Sequence, residues 1–107
     1  MPRKPPFALR YDRDIKRQLV AIEAKYHGLI RKVIEEQLPF EPERETRNRK
    51  PLLQPAPFEA TWELRCGPQN RFRVLYGVDP ERQEVRIQAV GVKKGNRLIV
   101  GRKEIEL

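Results

Sequence analysis

The stretch ATWELRCGPQNRFRVLYGVDPERQEVRIQAVG, Ala60 to Gly91, holds three short segments of alternating residues separated by two turn clusters. Such a pattern predicts a three-stranded antiparallel meander. In the first segment Ala60, Trp62 and Leu64 fall on one face and Thr61, Glu63 and Arg65 on the other. The second sets Phe72, Val74, Tyr76 and Val78 against Arg71, Arg73, Leu75 and Gly77. The third sets Val85, Ile87, Ala89 and Gly91 against Glu84, Arg86, Gln88 and Val90. Side chains alternate across a pleated strand, so the apolar sets combine into a core-facing surface and the arginine-rich sets into its reverse.

Upstream, Phe7 to Tyr11 alternates well enough for a first strand, and Met1 to Pro6, with three prolines, is expected to be flexible. Asp12 or Asp14 can then cap a helix carrying the stripe Ile15, Leu19, Ile22 and Tyr26. His27-Gly28 reads as a turn, after which Ile30, Val33, Ile34 and Leu38 form a second stripe that Pro39 ends. Neither helix can bury its stripe alone, and the apolar face of the meander is the natural partner. From Phe40 to Phe58 the chain is proline-rich and densely charged, which reads as a long connection with Leu52 and Leu53 tucked against the core. After Gly91, Lys93, Lys94 and Arg97 flank a Gly95-Asn96 turn, and Leu98 to Val100 forms a last short strand.

The 107 residues suit one domain with a modest core. With 23 Lys and Arg against 15 Asp and Glu the net charge is +8, which favours a polyanionic partner. One cysteine, Cys66, and one histidine, His27, far apart in sequence, cannot supply an ordinary zinc site, and no metal or cofactor is expected. The sequence contains neither a phosphate-cradling glycine loop nor a nucleophile elbow. Neither a signal peptide nor an apolar run of membrane-spanning length is present, so the expected address is the cytoplasm. Guanidinium groups on a sheet face remain, and they suit phosphate through charge and forked hydrogen bonds.

A helical hairpin, a linker ending in RKPL (Arg49 to Leu52), then WELR (Trp62 to Arg65), RFRVLYGVD (Arg71 to Asp79), VRIQAVG (Val85 to Gly91) and a lysine-rich close resemble the RelE/ParE superfamily of bacterial type II toxins. The resemblance spans Phe7 to the tail. It implies a single α+β domain over 1–107: an N-terminal strand, with a helical hairpin packed on one face of a mainly antiparallel sheet of about four strands. RelE-like members cut messenger RNA on the ribosome by driving the ribose 2′-hydroxyl onto the adjacent phosphate, without metal. ParE-like members poison DNA gyrase instead, and both kinds are silenced by a cognate antitoxin in a hetero-oligomer.

The resemblance carries over residue by residue. Arg73 matches the arginine set against the scissile phosphate, and Lys93 or Lys94 stands near a second phosphate-binding position. Glu63 occupies a strand position where RelE-like enzymes show a lysine and some relatives a carboxylate base. The expected catalytic set is therefore Glu63, Arg65 and Arg73. Arg47, Arg49, Lys50, Arg71, Arg86, Lys93, Lys94 and Arg97 are the expected RNA or phosphate contacts. The C-terminal tyrosine or histidine of an active nuclease is replaced by Leu98, Ile99 and Val100. Three functions follow from the resemblance: a ribosome-dependent endoribonuclease, a non-enzymatic gyrase toxin, or a degenerate member that binds only an antitoxin or nucleic acid.

Overall fold

A computed structural model describes residues 5–106; the flexibility expected of residues 1–4 lies outside the described residues. The strands are β1 (Ala8–Tyr11), β2 (Arg49–Pro51), β3 (Trp62–Cys66), β4 (Phe72–Asp79), β5 (Glu84–Lys94), β6 (Arg97–Val100) and β7 (Lys103–Ile105). The helices are α1 (Ile15–Val20) and α2 (His27–Gln37). One sheet runs β2-β3-β4-β5-β6-β7 with every neighbour antiparallel. β1 lies parallel to the first half of β5, Ala8 opposite Glu84 and Tyr11 opposite Ile87. The fold class expected from the sequence is thus present, with more strands than the four anticipated. β2 lies inside the segment read as a connection, where Pro51 is tolerated because β2 is an edge strand.

Both helices cover one face. Ile15, Ile22, Ile30, Ile34 and Leu38 pack with Leu64, Phe72, Val74, Tyr76, Val85 and Ile87 into the main core. Trp62 is a packing residue as its alternation suggests, stacked on Tyr76 at 6.3 Å between ring centroids. The helix boundary differs from the sequence reading. α1 stops at Val20, a single 3-10 turn spans Ala24–Tyr26, and His27 opens α2 instead of forming the turn. The apolar stripe stays in phase through the break, so periodicity alone conceals it. His27 Nε2 lies 2.8 Å from the Ile22 carbonyl and so ties α2 to the break. Asp14 stands at the α1 N-cap with no side-chain cap bond, and its carboxylate lies 3.7 Å from Arg17 instead.

The third strand is also read differently by the fold. Leu75 faces Ala89 and Tyr76 faces Ile87, which leaves Gln88 as the extra residue of a β-bulge. A one-residue insertion exchanges faces for everything beyond it. Val90 and Val92 therefore join the helix-side core, while Ala89 and Gly91 turn to the reverse face, opposite to the simple alternation. Gln18 of α1 fixes this half of β5 by accepting the Val90 N–H at 2.9 Å. The reverse face is not polar throughout: Ala60, which the alternation sets beside Trp62 and Leu64, instead joins Leu75, Ala89, Leu98 and Val100 in a second small core, with Leu52 and Ile105 against it.

Gly91 sits opposite both Arg73 and Val100. A Cβ there would lie 2.6 Å from the Ile99 carbonyl oxygen and 2.8 Å from Val100 Cγ2. Gly91→Ala is expected to destabilise the fold by about 1–3 kcal/mol, because the nearest obstacle is backbone in a paired strand. Urea denaturation should show a lower midpoint with an unchanged slope. An unchanged midpoint would mean that β6 can move aside freely.

Two ionisable groups resist charging inside the main core. Burial pushes the Cys66 thiol up from its ordinary 9.0 to about 11, against a smaller opposite pull from Arg73. Burial also raises the Tyr76 phenol, whose hydroxyl donates to the Pro42 carbonyl at 2.8 Å. A raised folded-state value means that the folded protein holds its proton more tightly than the unfolded chain. The stabilisation from Cys66 is complete below pH 9.0 and is lost as pH climbs toward about 11. The urea midpoint should fall across that interval, and less steeply in Cys66→Ala. A midpoint independent of pH there would contradict the assignment.

Candidate phosphate-binding site

The site lies on the face of the sheet that the helices leave uncovered. β3 presents Glu63 and Arg65 to that face, two residues apart, and Arg65 stands directly opposite Arg73 on β4. Glu63 is 3% exposed and Arg73 7%. Glu63 Oε1 accepts from Arg65 Nε at 2.7 Å and from Arg73 Nη1 at 2.8 Å. Arg73 Nε donates to the Asn70 carbonyl at 3.0 Å. That carbonyl is aimed by the Gly67–Asn70 turn, where Gly67, Gln69 and Asn70 all have positive φ (81°, 56° and 53°). Gly67 is needed for a second reason: a Cβ there would meet the Phe72 ring at 2.3 Å.

One carboxylate therefore organises two guanidinium groups. Burying charge is costly unless it is paired and hydrogen-bonded, and here both guanidinium groups pair with Glu63 through the same oxygen, Oε1. Arg73 has two of its donors committed, which fixes its plane, while Nη2 has no protein partner among the described residues. Arg65 is half-buried, with only Nε committed among the described residues.

Lys93 and Lys50 complete a groove of about 330 Å³ lined by Glu63, Arg65 and Arg73 on one side. Lys93 is exposed and has no ion-pair partner among the described residues, whereas Lys50 lies 3.3 Å from Glu45. Arg65, Arg73 and Lys93 against Glu63 leave two positive charges uncompensated. The rest of the lining comes from the segment 51–57, including Leu53, Pro55 and Pro57.

Other basic residues singled out in the sequence lie elsewhere. Arg49 faces the helix side, where its Nη1 donates to the carbonyls of Phe40 and Glu41 at 2.9 Å and Gln37 at 3.4 Å. It closes the end of α2 and the loop after it, a structural duty. Arg71 lies over the Tyr26 and Phe72 rings at 4.7 and 5.1 Å, away from the groove. Arg86 stands opposite Gly77, four residues along β4 from Arg73 and so about 13 Å away. Lys94 points opposite to Lys93, and with Arg97 and Arg102 it rims a separate cleft beside α1. Arg97 also lies 3.6 Å from Glu104. Arg47 is exposed in the loop before β2 and does not line the groove.

Among the described residues neither a histidine nor a tyrosine lines the groove. Leu98 and Val100 are buried in the second core, and Ile99 faces the α1 side. No cluster of His, Cys, Asp and Glu fit to hold a metal occurs among the described residues. No helix among them is long and apolar enough to cross a membrane. The sequence reading missed the apolar part of the groove's lining.

No protein-family model matches the chain, and no curated protein does. Among solved structures it is similar to a chain of the toxin–antitoxin complex RelBE2 from Mycobacterium tuberculosis, with 24% identity and a TM-score of 0.67. The match covers 87% of this chain and 98% of that one. The likeness establishes the shared fold, in agreement with the sheet and helix arrangement described above.

Proposed function

We propose that this chain is the toxin half of a toxin–antitoxin pair and that it acts on ribosome-bound messenger RNA through the Arg65–Arg73–Lys93 groove. The carrying observation is the buried Glu63–Arg73 pair with Arg65 beside it: fixed guanidinium groups, in excess over carboxylate, in a groove open to solvent. The shared fold with a chain of a toxin–antitoxin complex supports the toxin role.

The chemistry this site can assist is transphosphorylation. The RNA 2′-oxygen attacks the adjacent phosphorus, the P–O5′ bond breaks, and the products are a 2′,3′-cyclic phosphate and a 5′-hydroxyl. Negative charge grows on the non-bridging oxygens in the pentacoordinate state, and the two uncompensated positive charges are placed to receive it. Preorganisation matters because Arg73 need not reorient when that charge develops. Glu63 Oε2 has no hydrogen bond from the protein among the described residues, so it is the atom through which the 2′-proton would be accepted. Lys93 lines the groove with no ion-pair partner among the described residues, and it is the ammonium that would protonate the departing O5′.

An acidic partner peptide suits the remaining basic surface, and the cleft rimmed by Lys94, Arg97 and Arg102 has an apolar floor of Ile22, Val92 and Ile99. A neighbouring reading frame with a DNA-binding domain and an acidic tail is the expected antitoxin. Induced expression should arrest growth in the cytoplasm of a bacterial host, and co-expression of that partner should restore it. Unimpaired growth at verified expression would contradict the toxin role. That neither tyrosine nor histidine lines the groove among the described residues favours one second reading, a non-nucleolytic toxin directed at DNA gyrase. It would produce gyrase-dependent DNA breaks with transcripts intact.

A further inference from the structure

The groove has two unlike walls, and only the basic one is accounted for by phosphate binding. The other is apolar, lined by Pro51, Leu52, Leu53, Pro55, Ala56 and Pro57. Leu53 is 93% exposed, contrary to the sequence reading that tucks it against the core beside Leu52. A single exposed leucine needs no explanation, but a cluster of apolar residues lining the same groove as a buried ion pair does.

The wall is held in place. Leu52 N donates to the Thr61 carbonyl at 2.9 Å, and Ala60 N to the Pro57 carbonyl at 3.1 Å. Gln54 Nε2 bridges the two ends of the loop, donating to the carbonyls of Leu52 at 3.2 Å and Ala60 at 3.1 Å. Proline also restricts the backbone, so little freedom remains for binding to remove.

We infer that segment 51–57 is a nucleobase-holding wall: a single-stranded nucleotide sits with its phosphate on Arg65, Arg73 and Lys93 and its base against Leu53, Pro55 and Pro57. This rests on the RNA reading above and extends it from the phosphate to the base. Two features favour a nucleotide over a protein segment. A volume of about 330 Å³ lies at the small end of ligand sites, roughly 300–1,000 Å³. A helix, with side chains about 10–12 Å across, would not enter it. A groove lined by both guanidinium groups and apolar side chains also matches a ligand that is anionic on one side and apolar on the other.

The test uses purified full-length protein and fluorescence anisotropy, without ribosomes or cells. The probes are a fluorescent 2′-O-methyl oligoribonucleotide, which cannot be cut, and an abasic oligonucleotide of equal length. Wild type should bind the base-bearing probe roughly tenfold more tightly than the abasic one. Leu53→Ser should remove that preference and leave abasic binding unchanged, with an unaltered melting temperature because the side chain is almost fully exposed. Lys93→Ala should weaken both probes alike. A base preference that survives Leu53→Ser overturns the inference, as does equal binding of a glutamate decamer with the same dependence on Leu53. A protein that shows the preference yet fails to arrest translation retains the base-holding wall and loses the toxin role, so the two failures are distinguishable.

Discussion

Glu63→Ala is expected to destabilise the protein by about 3–5 kcal/mol, the range for removing one partner of a buried ion pair. The result would be a fall in melting temperature on the order of 15 °C. The reason is what is left behind: Arg73 is 7% exposed and would retain only the Asn70 carbonyl as a partner. An exposed ion pair would cost less than about 1 kcal/mol, so the size of the effect decides whether the pair is buried in solution. Arg65 provides an internal comparison. It shares the same carboxylate oxygen but is half-exposed, and Arg65→Ala should cost well under half as much. The double variant Glu63→Leu with Arg73→Met removes both charges and should recover most of the loss, because apolar residues of similar volume commonly replace buried pairs without penalty. A Glu63→Ala protein as stable as wild type would remove the basis for calling Arg73 preorganised.

Arg73→Lys is expected to cut function sharply while sparing the fold. The substitution keeps the positive charge beside Glu63, so the buried carboxylate remains paired. It loses the planar fork that bonds Glu63 and Asn70 together and leaves Nη2 for the ligand. Transcript cleavage should fall on the order of 10²–10³-fold, the effect of losing one preorganised donor to a developing oxyanion. Lys93→Ala removes a phosphate contact and the candidate proton donor to O5′ together. Being exposed, Lys93 should be dispensable for stability, and its removal should lower the slope of log affinity against log salt by about 0.7, one single-strand phosphate contact. Full activity in Arg73→Lys would show that charge alone suffices there.

Much of this architecture can be read from alternation. The strands β3 and β4 carry their faces in plain view, and Glu63, Arg65 and Arg73 fall together because each stands on the face opposite Trp62, Leu64 and Val74. The strand β5 does not, since the bulge at Gln88 exchanges its two halves and a bulge leaves no mark on an alternating pattern until register is known. That exchange places Lys93, and not Lys94, beside Arg73. The break after Val20 is hidden because a helical stripe can stay in phase through a 3-10 turn. Basic residues were legible as a class but not by task. Arg49 ties down carbonyls at the end of α2 and Arg71 covers Tyr26, and only the tertiary fold distinguishes such duties from phosphate binding. The apolar wall at Leu53 depended on how a proline-rich loop folds back over the sheet, which composition does not encode.

The most direct measurement adds the purified protein to a translating bacterial extract and maps the ends of the transcripts. The account predicts new 5′-hydroxyl ends and 2′,3′-cyclic phosphates within ribosome-occupied codons, absent with Arg73→Lys. Intact transcripts, together with gyrase-dependent breaks in plasmid DNA, would contradict it.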